Sequence, residues 1–258
     1  MPELPDLQVI GSNLDKMFKG KKLNKITLEH KKNFKGDPGE IKDMLEGKKL
    51  EKVYREGKEL RFKFGKDQIL GVHLMLHGAF HRFEHKNENT HTLAEFLFEG
   101  NEGLALTDYQ GLATLSMNPT ESESPDALSA KITPAFLKAQ MSSSKATVKK
   151  LLTNQHILRG IGNAYADEIL WDARISPFSI CNKIPPEAIK ALSGSIRQVL
   201  TDAEKQIRKD HPGIIAGEVR DFLKIHHPRK ENSPTGKPIH VKKSGGSTYY
   251  TEDQKLYK

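Results

Sequence analysis

Partway along this chain the hydrophobic pattern changes period, and that change limits the folds open to it. Across residues 22–117 apolar side chains alternate in short runs such as Leu60-Arg61-Phe62-Lys63-Phe64, divided by turn signals such as Glu56-Gly57 and Asn101-Glu102-Gly103. A period of two with turns this frequent predicts an antiparallel β-sandwich. From residue 134 onward the spacing is helical, and Ile189, Leu192, Ile196, Val199, Ala203 and Ile207 form one stripe of a long helix over 186–210. Residues 118–133 are rich in Ser, Pro, Glu and Asp, lack an apolar face, and read as an interdomain linker. At 258 residues the chain is long enough for two domains. The expected fold is multidomain α+β: a catalytic sandwich with flanking helices over 1–117, the linker over 118–133, a helical domain over 134–225, and a finger over 226–258.

Within this frame, Leu7, Ile10, Leu14, Met17 and Phe18 predict a helix opened by Pro5 and ended by Gly20. A short helix is expected near 38–46, and further helices over 134–141, 145–153, 164–172 and 217–225. At the end of the chain, 238–241 and 247–250 flank Lys242-Lys243-Ser244-Gly245-Gly246, the pattern of a β-hairpin. Lys plus Arg number 41 against 33 Asp plus Glu, a net +8 that favours a polyanionic partner, nucleic acid first. Cys181 is the single cysteine, which excludes an intramolecular disulfide framework and suits a reducing cytoplasm. No apolar run approaches the roughly 18 residues of a membrane span, and no signal-peptide pattern is present, so an intracellular protein without a membrane partner is expected.

Two stretches carry chemistry. In Met1-Pro2-Glu3-Leu4-Pro5-Asp6, loss of Met1 would leave Pro2 with a free secondary amine, able to attack an electrophilic carbon and form an iminium. Glu3 beside it can move protons, and the helix opened by Pro5 favours an anionic ligand at its start. Taken alone, the same residues also read as an ordinary N-terminus with a helix-start proline. The second stretch, 151–168, joins two helices through Gly160-Ile161-Gly162-Asn163. Asn163 is placed as a good N-cap, and exposed backbone N–H groups there can hold a phosphate. By itself a Gly-x-Gly turn between helices is also simply structural.

Together, Pro2-Glu3-Leu4-Pro5 and Gly160-Ile161-Gly162-Asn163-Ala164-Tyr165-Ala166-Asp167-Glu168 make the chain resemble the formamidopyrimidine-DNA glycosylase/endonuclease VIII family over nearly its whole length. The resemblance implies a bifunctional base-excision repair enzyme, a DNA glycosylase with AP-lyase activity. Its architecture would be an N-terminal sandwich, a helix–two-turn–helix domain and a hairpin finger. Carried over residue by residue, Pro2 matches the nucleophile, Glu3 the catalytic acid/base, and Lys58 the lysine that contacts phosphate and assists elimination. His73 and Asn163 match phosphate contacts; Lys145 and Lys149 are weaker candidates for the DNA-facing side. Asp6 stands where the family usually has Glu.

The chain also departs from the family. Its finger has no cysteine: Asn232, Thr235, Thr251 and Gln254 fall near the usual zinc-ligand positions, which predicts a zincless finger and no cofactor. His226, His227 and His240 are read as solvent-facing. The finger arginine falls near Gly246, leaving Lys242 or Lys243 to replace it as point charges. Of the side chains that fill the gap left by a flipped nucleotide, Leu76 or Met75 is the first wedge, and Tyr109, Gln110 or Leu112 stands in for an absent Arg-Phe pair. The opposite-base preference should accordingly differ from cytosine. The segment between Phe222-Leu223 and the hairpin is short, which turns the expected substrates towards oxidised pyrimidines, ring-opened purines, further-oxidised guanine products or abasic sites. The expected partner is damaged double-stranded DNA, bound by a monomer at the nucleoid. A damaged-DNA or abasic-site binding protein with weak turnover is the other reading, motivated by the missing arginine and wedge pair.

Overall fold

Pro5 in the first turn and a reciprocal cap between Glu3 and Asp6 start helix α1, Leu4–Phe18. Leu7, Ile10, Leu14 and Phe18 recur on one face and are all buried. The chain turns out of the helix at Gly20, whose φ of 85° lies in the left-handed region that glycine enters freely. The computed structural model describes residues 1–29 and 31–258, and the chain divides into two compact units. The first comprises Met1–Glu121 with Ile207–Glu218, the second Ser122–Gln206 with Val219–Lys258.

After α1, the first unit runs through β1 (Leu23–Leu28), β2 (Phe34–Lys35), α2 (Pro38–Leu45), β3 (Leu50–Glu56), β4 (Glu59–Phe64), β5 (Gln68–His73), β6 (Ala79–Glu84), β7 (Thr92–Phe98), β8 (Glu102–Thr107) and β9 (Thr114–Met117). They form a four-stranded sheet ordered β1-β7-β8-β6 and a five-stranded sheet ordered β2-β9-β5-β4-β3. Pairing is antiparallel except between β2 and β9, which run parallel. The core holds Phe62, stacked on Phe96 at 6.0 Å and tilted against Phe80 at 5.7 Å. Strand β8 is central and buried from Gly103 to Thr107. A Cβ at Gly103 would lie 2.1 Å from the Phe83 ring, so the ring's place on the sheet requires glycine.

The second unit carries α3 (Pro134–Met141), α4 (Val148–Thr153), α5 (Asn163–Asp172), α6 (Pro186–Asp210), and a hairpin of β10 (His240–Lys243) and β11 (Ser247–Tyr250). The last residues of α6 belong to the first unit. Its stripe is Ile189, Leu192, Ile196, Leu200, Ala203 and Ile207; Leu200 takes the place expected of Val199. The segment from Ser122 packs with the second unit rather than hanging free: Ala127 donates to the Arg159 carbonyl at 2.9 Å, and Ala127 and Ile132 are buried.

Two helix expectations need correction. Helix α4 begins at Val148 rather than residue 145, because Thr147 is drawn into a bridge with Ile180. Residues 217–225 form no helix. The buried Glu168 carboxylate accepts the N–H groups of Lys224, Ile225 and His226, each at 2.8 Å, and so removes donors that a helix would use internally. Gly217, at φ 83°, sits at the start of this turn. Among the described residues no helix is long and apolar enough to cross a membrane.

Candidate active site

In the first unit the N-terminal residues are held from below by α1. Pro2 is buried and Glu3 is 4 % exposed. The Glu3 N–H donates to Asp6 Oδ2 at 2.9 Å, which locks the carboxylate-bearing residue to the first helical turn. Asp6, the shorter carboxylate, is thus long enough for this cap. The Met1 ammonium lies 2.8 Å from Glu218 Oε2, and with Met1 in place the Pro2 nitrogen is an amide.

Lys58 stands in the turn between β3 and β4. Burial lowers its pKa below the ordinary 10.5, partly countered by the charge of Glu3. An ammonium so placed gives up its proton more readily than a surface lysine. His73 ends β5, and its Nδ1 accepts the Met75 N–H at 3.1 Å. That bond leaves the proton of the neutral ring on Nε2, where it can be donated to an acceptor. Burial first, then the charges of Lys58 and Lys35, lower the His73 pKa below 6.5. Lys35, which nothing in the sequence singled out, therefore belongs to the same electrostatic group, drawn there by the pairing of β2 beside β9.

The next turn presents Leu76, 50 % exposed. Met75 takes a positive φ of 53°, and the Gly78 N–H closes the turn on the Leu74 carbonyl at 2.8 Å. A Cβ at Gly78 would sit 2.5 Å from that oxygen, so the turn depends on glycine. The loop ahead of β9 is equally constrained. The Asp108 carboxylate accepts N–H groups from Gln110, Leu112 and Ala113 at 2.9, 2.8 and 2.8 Å, while Asn33 Nδ2 donates to the carbonyls of Gly111 and Ala113. Burial raises the Asp108 pKa, but these backbone bonds outweigh it and the net shift is down. Held this way, the loop presents Tyr109 at 61 % exposure and Leu112 at 42 %, with the Tyr109 ring tilted against His77 at 4.6 Å. Two turns, each fixed by its own hydrogen bonds, thus hold Leu76, Tyr109 and Leu112 out towards solvent.

In the second unit Gln155 ties the two turns between α4 and α5: its amide donates to the carbonyls of Thr153 and Ile161, and its oxygen accepts the Gly160 N–H, all at 2.9 Å. Gly162, not Asn163, is the N-cap of α5. Asn163 is the first helical residue, exposed, and its Nδ2 donates to the Ser247 carbonyl at 2.6 Å. Lys149 does not face outward. It is 9 % exposed, 2.6 Å from Asp167 Oδ1, and donates to Thr248 Oγ1 at 2.9 Å. His226, expected in solvent, turns inward to Asp167 Oδ2 at 2.7 Å and packs on Tyr249. On the hairpin, Lys242 lies over the Phe178 ring at 5.0 Å, while Lys243 is exposed at the strand end beside Ser247.

The positions where a zinc ion would be expected are committed to other bonds. Gln254 Oε1 accepts the Thr251 N–H at 2.8 Å and its amide donates to the Ile175 carbonyl at 2.9 Å; Thr235 Oγ1 bonds Asp253 Oδ2. Hydroxyls and carboxamides are not the thiolates or imidazoles that zinc requires, and among the described residues no group of three His, Cys, Asp or Glu is placed to hold a metal ion. The residues present do not fit the metal.

A β-sandwich that begins Pro-Glu, followed by a helix–two-turn–helix unit and a hairpin, is the construction of a DNA glycosylase of base-excision repair. Residues 1–115 match the family model described as the formamidopyrimidine-DNA glycosylase N-terminal domain, and residues 124–212 the model described as its H2TH domain. A formamidopyrimidine-DNA glycosylase of Ligilactobacillus salivarius is 31 % identical over 206 residues, covering 76 % of this chain and 75 % of that one. One from Lactobacillus gasseri is 28 % identical over 276 residues, covering both chains completely. The solved complex of the Lactococcus lactis Fpg with abasic-site DNA superposes with a TM-score of 0.87 at 23 % identity, over 97 % of this chain and 98 % of that one. The chain belongs to the formamidopyrimidine-DNA glycosylase family.

Proposed function

We propose that this glycosylase works through Pro2, Glu3 and Lys58, and that it cleaves the strand after removing the base. Once Met1 is removed, the Pro2 nitrogen attacks C1′ of the damaged nucleotide and the N-glycosidic bond breaks, its electron pair leaving with the base. Glu3 supplies and recovers the protons of ring opening. The resulting iminium makes the C2′ proton acidic. Loss of that proton expels the 3′ phosphate, and Lys58, with its depressed pKa, assists the elimination. What supports this reading is that buried Glu3, next to Pro2, lies close enough to the half-buried Lys58 for its charge to raise the lysine's pKa, which groups a carboxylate and a lysine beside that proline.

His73 and Asn163 are assigned to phosphates of the DNA, Leu76, Tyr109 and Gln110 to the gap left by the flipped nucleotide, and Lys242 and Lys243 to the finger's phosphate contact. Lys243 is favoured for that contact, since Lys242 is engaged with Phe178. The reading carries with it an intracellular, nucleoid-associated monomer and a hairpin that works without metal.

Borohydride trapping tests the mechanism. Protein shown by mass to lack Met1 should form a covalent adduct with duplexes holding an abasic site or an oxidised base, and Pro2→Gly should not. Binding to every duplex without an adduct on any would favour the damaged-DNA binding protein instead. A second test concerns His73. Because its pKa is below 6.5, the ring stays neutral near pH 7 and contacts phosphate as an Nε2–H donor. Wild type and His73→Gln should then show parallel pH profiles of DNA affinity between about pH 6.5 and 8. A rise in wild type alone on acidification, with a midpoint at or above 6.5, would contradict the neutral donor.

A further inference from the structure

The segment that follows α6 brings a carboxylate to the N-terminus of the chain. Within the first unit, Asn13 Nδ2 on α1 donates to the Ile214 carbonyl at 2.8 Å, and Arg208 Nη1 donates to Ser12 Oγ at 3.2 Å. Ile215 packs against the sandwich core, and Gly217, at φ 83°, turns the chain. The next residue is Glu218, whose Oε2 meets the Met1 ammonium at 2.8 Å. The segment is thus fastened to the same helix that Glu3 caps, and α1 fixes both sides of the contact.

Met1 N and Pro2 N are three covalent bonds apart, so removing Met1 draws the terminal nitrogen back by roughly 3–4 Å. The Glu218 side chain is 42 % exposed and has three torsions with which to follow the amine, directly or through one water. Other charged groups at this end of α1 have tasks within the fold. Asp6 accepts the Glu3 N–H at 2.9 Å, Glu3 acts on Lys58, and Arg55 of β3 donates to Gln8 Oε1 at 2.9 Å. Glu218 meets the terminal amine itself.

We infer that Glu218 is the proton acceptor for the Pro2 amine, a second catalytic carboxylate beside Glu3. This inference rests on the reading of Pro2 as the nucleophile. A neutral secondary amine has one lone pair and one N–H. Donating the N–H to Glu218 aims the lone pair away from it, and attack on C1′ leaves the nitrogen positively charged and still carrying its proton. That proton has to leave before the iminium forms, whether the oxygen expelled from C1′ is the ring O4′ or, at an abasic aldehyde, the oxygen of water. Glu218 takes the proton from nitrogen, Glu3 protonates the departing oxygen, and the nitrogen lone pair closes the C1′=N bond.

The carboxylate also acts before the attack. A neighbouring anion favours the ammonium form of an amine and raises its pKa. The amine reacts only when neutral, so the rate climbs with pH through that pKa. Removing the anion lowers the pKa and moves the climb to lower pH.

Protein freed of Met1, verified by mass, is compared as wild type, Glu218→Gln and Glu218→Asp. The measurement is the single-turnover rate of adduct formation on an abasic-site duplex, quenched with borohydride between about pH 6 and 9, the range that spans an α-amino group's titration. Glu218→Gln should lower the plateau rate about 10- to 100-fold, at or below the low end for a positioned base because water also reaches an exposed site. Its acidic limb should lie at lower pH than that of wild type. Glu218→Asp should keep the limb near the wild-type position and recover part of the rate. Affinity of Glu218→Gln for a duplex with a tetrahydrofuran abasic analogue should not weaken, since a negative charge is removed beside a polyanion. Equal rates and coincident limbs for wild type and Glu218→Gln would overturn the inference. So would a loss uniform across pH or matched by weaker DNA binding, the mark of a structural support. Wild type that forms no adduct on any duplex sinks Pro2 as the nucleophile, whereas a wild-type adduct with Glu218→Gln unaffected sinks Glu218 alone.

Discussion

Glu3→Gln should reduce base removal by about 10²- to 10⁴-fold, the range a positioned acid/base contributes, while leaving the protein's unfolding transition in place. The carboxamide keeps the size of the side chain and an oxygen able to accept the backbone N–H that Glu3 caps at the start of α1. The reciprocal bond, from the Glu3 N–H to Asp6, is untouched. What the substitution removes is a proton donor and acceptor beside Pro2, and a negative charge acting on Lys58. Losing that charge removes an interaction that raises the Lys58 pKa, so the lysine's should fall further. Cleavage of a preformed abasic site, which needs no base to leave, should fall less than base removal. Single-turnover rates on an oxidised-base duplex and on an abasic duplex would separate these effects, and equal rates for wild type and variant on the first would remove Glu3 from the mechanism.

Asp167→Ala should destabilise the second unit by about 3–5 kcal/mol, the cost of leaving a buried cation without its partner. Asp167 is 0 % exposed and satisfies three groups at once: Lys149 at 2.6 Å, the His226 ring at 2.7 Å and the Tyr249 N–H at 2.9 Å. Truncation strands Lys149 and unfastens β11 from α5. Since Asn163 also bonds the Ser247 carbonyl, the proposed phosphate contact would be deprived of its neighbour together with the hairpin. Lys149→Met/Asp167→Leu, which removes both charges, should cost less than Asp167→Ala alone. Urea unfolding followed by the fluorescence of Trp171, which is in the second unit, reads the effect. A destabilisation below about 1 kcal/mol would mean that the pair is not energetically buried.

The residues that proved informative in the sequence were those whose role is local. Pro5 and the Glu3-x-x-Asp6 spacing write the start of α1 into adjacent positions, and Gly20 writes its end. The sandwich was legible because a period of two repeats within each strand. The hairpin was legible because two β-prone runs flank a Gly-Gly turn. Expectations failed where a distant group competes with local preference. Residues 217–225 have helical spacing, but Glu168, some fifty positions earlier in the chain, captures the N–H groups of Lys224 and Ile225 together with that of His226 just beyond. Lys149 and His226 look like surface residues, and a single buried carboxylate turns both inward.

The candidate site divides along the same line. The sequence by itself determined the terminal proline, the carboxylate beside it, the Gly162-Asn163 turn and the absence of thiolates in the finger, because each is a matter of residue identity or of neighbours in the chain. Only the tertiary structure decided that Glu3 acts on Lys58, that Lys35 joins His73, and that Asp108 and Asn33 hold the Tyr109 loop. Those relations depend on which strand lies next to which. The parallel placement of β2 against β9 is a long-range pairing that no periodicity records.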